Sequence, residues 1–203
     1  GQTKETKANT QGKWMVKLDK LTANFKPAVL SIKGSNEIKL QNILVGEVWI
    51  CSGQSNMEWQ VSRCANPQEE IANAKHPNIR LFDVSGHTVH PLPQSKGNGN
   101  WKVCTPASIS SFSATGYYFG RRLLKELNVP IGLIGSNWGG TRIEPWTTLD
   151  GFKSVPELSD QAKSVAAYTK DKKVGGGTPS AIYNSMVHPL TPYAMRGAIW
   201  YQG

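Results

Sequence analysis

The chain has 203 residues, 38% of them hydrophobic and 18% charged, which is enough apolar material for a sizeable core. It carries 23 basic against 14 acidic residues, a net charge of +9, but the excess is spread: eight lysines against three acids in residues 1–44, and 15 basic against 11 acidic residues in the rest. No apolar run approaches the roughly 20 residues that a membrane-spanning helix needs, no leader-like segment opens the chain, and neither Arg121-Arg122 nor Lys170-Asp171-Lys172-Lys173 is long enough to track a phosphate backbone, so neither membrane nor nucleic acid is an expected partner.

Residues 1–44 show the period-two pattern of strands, with Trp14, Val16 and Leu18 on one face, Ile38 and Leu40 in a later run, and Gly34-Ser35-Asn36 as a turn between them. Lys13, Lys17, Lys33 and Lys39 alternate with apolar residues, as on the solvated face of an antiparallel sheet. From about residue 45 the pattern changes to strands alternating with helices, the mark of a layered α/β domain. Residues 43–51 read as a parallel-sheet strand buried on both faces, stopping in the small polar run Ser52-Gly53-Gln54-Ser55-Asn56. Residues 67–75 suit a short helix, 79–84 a strand and 87–100 a loop rich in Pro and Gly. Ser113 opens the strongest helix, with Tyr117, Gly120, Leu123, Leu124 and Leu127 on its apolar face and Val129-Pro130 marking its end. A strand over 129–134 leads into Gly135-Ser136-Asn137-Trp138-Gly139-Gly140-Thr141-Arg142, residues 151–180 read as a polar surface loop, and a last short strand over 197–201 precedes Gln202-Gly203. From the abrupt start at Gly1 and the stop just after a strand, the chain is expected to be a fragment of a longer protein.

Ser55 lies where such a sheet places its chemistry, just past the carboxyl end of a strand, with Gly53 permitting a tight turn. Met57 stands where a Gly-x-Ser-x-Gly elbow would have its second glycine, which disfavours the α/β-hydrolase fold. The glycine-rich loop after residue 134 suits an oxyanion or a phosphate, but it has neither Gly-x-Gly-x-x-Gly nor Gly-Lys-Ser/Thr, which disfavours nucleotide binding. His76, His87, His90 and His188 read as structural or surface residues, and the His87/His90 spacing has no Cys or carboxylate cluster that would make it a metal pair. Cys51 reads as a small core residue; Cys64 and Cys104 fall in two loop-like segments and are the expected disulfide pair, in an exporting context.

Three blocks in order bring a family into view: Gly46-Glu47-Val48-Trp49-Ile50-Cys51-Ser52-Gly53-Gln54-Ser55-Asn56-Met57, then residues 132–146 with Tyr183-Asn184-Ser185-Met186, then Ile199-Trp200-Tyr201-Gln202-Gly203. Together they resemble the sialate O-acetylesterase family of SGNH-type esterases, over roughly residues 14–203. The resemblance implies an SGNH-like three-layer α/β/α domain with a mainly parallel sheet over 45–203, preceded at 1–44 by the end of an antiparallel β-domain. It implies Ser55 as nucleophile, with the amides of Ser55 and Gly140 and the side chain of Gln202 as oxyanion donors. The family's Asp-x-x-His block, which carries the general base, has no match in residues 1–203, so the chain alone is expected to be nearly inactive.

Gln54, Asn56, Trp138, Arg142 and Asn184 lie in the matched blocks as candidates for substrate binding or support of the site. For Arg142 two readings stand, contact with a sugar carboxylate or a pairing with Glu144. For Trp138 and Trp146 they are stacking on a sugar or filling the core. Asn184 is read as bracing loops, and Glu58 as shaping the turn after Ser55 but not as the triad acid. The expected substrate is an acetylated sialic acid or related sugar, with acetylated xylan or another polysaccharide as the alternative, or a carbohydrate-binding role without turnover. No metal or organic cofactor is implied, and the expected location is secreted, periplasmic or otherwise exported.

Overall fold

In the computed structural model, which describes residues 1–203, the first regular element is a hairpin: β1 (Asn24–Lys33) runs antiparallel to β2 (Glu37–Val45), with Leu30 opposite Leu40 and Ile32 opposite Ile38. Its turn falls at residues 34–36, as the sequence marks it, and the Gly34 N–H donates to the Asn36 carbonyl. The expected strand through Trp14, Val16 and Leu18 does not form, and all three side chains are exposed. Alternation alone does not make a strand; the segment pairs with no neighbouring strand, so no ladder fixes its backbone. The hairpin belongs to a compact unit Gly1–Gly46, and Glu47–Gly203 forms a second. The run expected as one strand over 43–51 is broken at Gly46, with Val45 ending β2 and Glu47 opening the next strand.

The second unit is built on five strands: β3 (Glu47–Gly53), β4 (His76–Asp83), β5 (Trp101–Cys104), β6 (Ile131–Asn137) and β7 (Gly197–Tyr201), in the spatial order β5-β4-β6-β3-β7. All but the edge strand β5 are parallel. Between them in sequence come α1 (Ser55–Glu58), α2 (Pro67–Asn73), α3 (Pro106–Ile109), α4 (Ala114–Leu127), α5 (Leu149–Lys153) and α6 (Ser159–Ala166). Successive residues of a strand face opposite sides of the sheet, and both sides are covered. Cys51 and Leu133 join a cluster with Tyr117, Ile79 and Ile109, while Ile50 and Ile134 pack with Leu190. Helix α4 lies close on the first side: a Cβ at Gly120 would stand 2.6 Å from Leu133 Cδ1, so the small residue at this point sets the helix-to-sheet distance. Its cap is Ser113, whose hydroxyl accepts the Gly116 N–H at 3.0 Å.

Several elements differ from the sequence reading, each for a local reason. β6 continues through Gly135 and Ser136 to Asn137 because these residues pair in register with Cys51, Ser52 and Gly53 of β3. Residues 101–104, expected as loop, pair with β4 as the edge strand. Leu127, expected on the apolar face of α4, is exposed in the helix's last turn. Residues 151–180, expected as a loop, contain α6 and most of α5, with Phe152, Ala162 and Val165 forming a small core of their own.

The expected Cys64–Cys104 bridge is not formed: all three cysteines are free thiols. Cys104 is buried in β5 within the main core, while the Cys64 thiol lies 3.4 Å from the Tyr118 hydroxyl. Burial pushes the Cys51 thiol up to about 12 and, as its leading cause, Cys104 up to about 11, so neither is a thiolate at neutral pH. Alkylation of the unreduced, denatured chain is therefore expected to label three thiols and brief native alkylation only Cys64, by mass spectrometry; two unlabelled cysteines in denaturant would restore the bridge. With the cysteines free, the disulfide no longer argues for export. No helix is long and apolar enough to cross a membrane.

Candidate active site

The carboxyl ends of β6, β3 and β7 lie side by side, with Gly53 opposite both Asn137 and Tyr201. This is the edge of a parallel sheet where binding crevices form. Gly53 has a φ of +134°, and a Cβ there would sit 2.0 Å from the Tyr201 carbonyl oxygen, so only glycine lets β3 end this close to β7. The chain then turns into α1: the Gln54 carbonyl accepts the N–H groups of Met57 and Glu58, and Met57 plugs the turn into the core at 1% exposure. Thr115 Oγ1 donates to the Asn56 carbonyl at 3.1 Å and fastens the turn from the α4 side.

Ser55 opens α1 and is exposed. Neither its N–H nor its hydroxyl takes a partner within the chain, and no histidine reaches it. His76 Nε2 lies 3.2 Å from the Tyr117 hydroxyl, and its pKa is lowered by burial and then by the Arg121 charge. His90 Nδ1 accepts the Leu92 N–H, and His188 Nδ1 lies 2.8 Å from the Gln94 carbonyl. These three are structural, as expected from the sequence.

The second wall is the loop after β6. Trp138 N–H donates to the Gly53 carbonyl at 3.0 Å, which draws the loop across the end of β3. Gly139 follows with its backbone against the turn that carries Ser55, since a Cβ there would lie 3.4 Å from Ser55 Cα and 2.7 Å from Glu58 Oε2. Gly140 has a φ of +75° and an N–H with no partner in the chain. Thr141 closes the loop: its hydroxyl donates to the Trp138 carbonyl at 2.7 Å and accepts the Trp146 indole N–H at 2.9 Å.

The third wall comes from β7. Gln54 N–H donates to the Tyr201 carbonyl and the Gln54 carboxamide to the Gly203 carbonyl. Gln202 Nε2 donates to the Thr141 carbonyl at 2.8 Å, which ties the end of β7 to the glycine loop and leaves the second N–H of that amide to point elsewhere. Its Oε1 is buried without a partner.

Two groups outside the predicted set join this site. Glu58 Oε2 accepts the Gly139 N–H at 2.6 Å, and Glu58 Oε1 lies 2.7 Å from His87 Nε2. The His87 ring is stacked on Trp138 at 4.5 Å between centroids and 8° between planes. With Asp83, Ser111, Ser113 and Asn137 they help to line a pocket of about 160 Å³. The Asp83 carboxyl is raised above the usual range by desolvation, with Lys102 and His87 opposing and Glu58 adding to the shift. Glu58 was legible as one helical turn after Ser55; His87 gave no local signal, because it lies in an irregular loop 29 residues away.

The remaining candidates separate. Asn184 is buried, and its Nδ2 donates to the carbonyls of His90 and Pro91 at 3.2 and 2.9 Å, while its own carbonyl accepts Gln94 N–H, so it pins the 87–100 loop. Trp146 is a core residue at 6% exposure, edge-on to Trp200. Trp138 is half-buried with one face on His87. Arg142 is exposed and makes no ion pair with Glu144 or any other acid. Asn56 is exposed beside Ser55.

Comparison with known proteins converges on one group. The family described as carbohydrate esterase, sialic acid-specific acetylesterase, matches residues 45–203. The sialate O-acetylesterases of Pongo abelii and Homo sapiens are each 31% identical over 212 residues, covering 94% of this chain and 38% of theirs. A crystal structure of a carbohydrate acetylesterase from Xanthomonas citri, 33% identical, superposes with a TM-score of 0.81 over 97% of this chain and 41% of that one. The chain thus spans well under half the length of the relatives it matches.

Proposed function

We propose, from the premise that the chain belongs to the sialic acid-specific acetylesterase family of carbohydrate esterases, that the protein carrying it is a serine esterase that removes O-acetyl groups from sugars. The observation that carries the reading is the convergence of three strand ends on Ser55, with its own N–H and that of Gly140 both unpartnered and the Gln202 amide anchored nearby by Thr141. In the proposed reaction Ser55 Oγ attacks the acetyl carbonyl as a base takes its proton. The oxygen that gains charge accepts hydrogen bonds from the Ser55 and Gly140 amides and from the second N–H of Gln202. The sugar alcohol leaves with a proton returned by the base, and water then releases acetate from Ser55. The base is assigned to the histidine of the family's Asp-x-x-His block, because each of the four histidines within residues 1–203 is bonded elsewhere and none contacts the Ser55 hydroxyl.

For the sugar, the feature that favours a sialic acid is Arg142, a guanidinium in the glycine-loop block that no carboxylate of the chain occupies. A bidentate pair with a sugar carboxylate is the geometry such a group favours. Acetate release by the full-length protein from 9-O-acetylated sialic acid and from acetylated xylan tests the assignment. The Arg142→Ala variant is expected to raise KM for the sialic acid about tenfold or more, the size of a lost charged hydrogen bond, and to leave the neutral xylan unaffected. Equal effects on both, or faster turnover of xylan by the unsubstituted protein, would move the substrate to a neutral polysaccharide.

A further inference from the structure

We propose that Glu58 is a positioning residue for acyl transfer, acting through the Gly139 amide to hold the glycine loop at a fixed distance from Ser55. The proposal rests on the reading of Ser55 as nucleophile. One turn of α1 puts Glu58 on the side of the helix that Ser55 occupies. Its carboxylate is used at both oxygens, by Gly139 N–H at 2.6 Å and by His87 at 2.7 Å, separations typical of charge-assisted bonds. The contacts close a ring: Glu58 to Gly139, Gly139 to Trp138 along the chain, Trp138 stacked on His87, and His87 back to Glu58. The ring is pinned to the sheet where Trp138 N–H meets the Gly53 carbonyl, two residues before Ser55.

Of the two glycine amides in the loop, this arrangement leaves only that of Gly140 unpartnered. Gly139 is the residue against Ser55, but its N–H is consumed by Glu58; the next N–H, that of Gly140, is unpartnered at a positive φ. A carboxylate placed directly beside an oxyanion would oppose it. Bonded through Gly139, Glu58 instead orients the peptide that leads to the Gly140 donor, and His87 holds the carboxylate in place. Loss of an oxyanion donor costs about 10²- to 10³-fold in kcat, and a displacement near 1 Å can cost about 10²-fold.

The test pairs kinetics of the full-length protein on 4-nitrophenyl acetate with hydrogen exchange at the Gly139 amide. In Glu58→Ala, kcat is expected to fall about 10- to 100-fold with KM within about twofold, and exchange at Gly139 to accelerate. Glu58→Gln keeps an acceptor for that amide and is expected to stay within about fivefold of the original kcat with exchange still slow. Unchanged exchange in Glu58→Ala, or faster exchange with native kcat while Ser55→Ala is inactive, would overturn the positioning role. Acetate release that survives Ser55→Ala would overturn the reading of Ser55 as nucleophile on which the proposal rests, a result distinguishable from either.

Discussion

Replacing Ser55 by alanine in the full-length protein is expected to lower kcat for acetate release on the order of 10⁴- to 10⁶-fold, the range that loss of the nucleophile costs in serine hydrolases. KM should move little, because the hydroxyl contributes to bond formation and not to holding the sugar. The same substitution should leave folding stability within about 0.5 kcal/mol, since Ser55 is exposed and its side chain bonds to nothing in the chain. That contrast separates loss of chemistry from loss of structure. A variant that lost activity and stability together would place Ser55 among structural residues, as an ordinary polar helix start.

The largest structural effect is expected at Gly53. A Cβ added there would stand 2.0 Å from the Tyr201 carbonyl oxygen and 2.7 Å from its carbon, both backbone atoms, and the φ of +134° is itself unfavourable for an L side chain. Gly53→Ala must therefore push β7 away from β3 or unwind the end of β3, breaking the bond from Gln54 N–H to the Tyr201 carbonyl and disturbing the one from Trp138 N–H to the Gly53 carbonyl. The expected loss is at least about 4 kcal/mol in urea unfolding, in the exceptional tail of single substitutions. Activity should fall with it, because all three walls of the site meet at this residue. Gly175→Ala is the control: open space surrounds that Cβ, and its effect should stay within about 0.5 kcal/mol.

The parts legible in the sequence were those fixed by neighbours along the chain. The β3 turn into Ser55, the Ser113 cap of α4 and the hairpin turn at residues 34–36 each depend on a strand or helix end with its own punctuation. Residues whose state is decided by distant pairing were not legible. Residues 101–104 look irregular until β4 offers an edge, and residues 14–18 look like a strand although no edge is offered. Polar content and the Gly175-Gly176-Gly177 run concealed α6, whose small core of Phe152, Ala162 and Val165 needs only a few apolar positions. In the candidate site, the block order marked Ser55, Gly140 and Gln202, but nothing local linked Glu58 to Gly139, 81 residues on, or to His87.

Trapping of the acetyl-enzyme tests the central claim most directly: rapid acid quench of the full-length protein turning over an acetyl ester, followed by peptide mass mapping. Acetyl mass on the peptide containing Ser55, absent in Ser55→Ala and cleared by further incubation, is the expected result. Steady acetate release with no adduct at Ser55, or with an acetyl group carried on another residue, would contradict it.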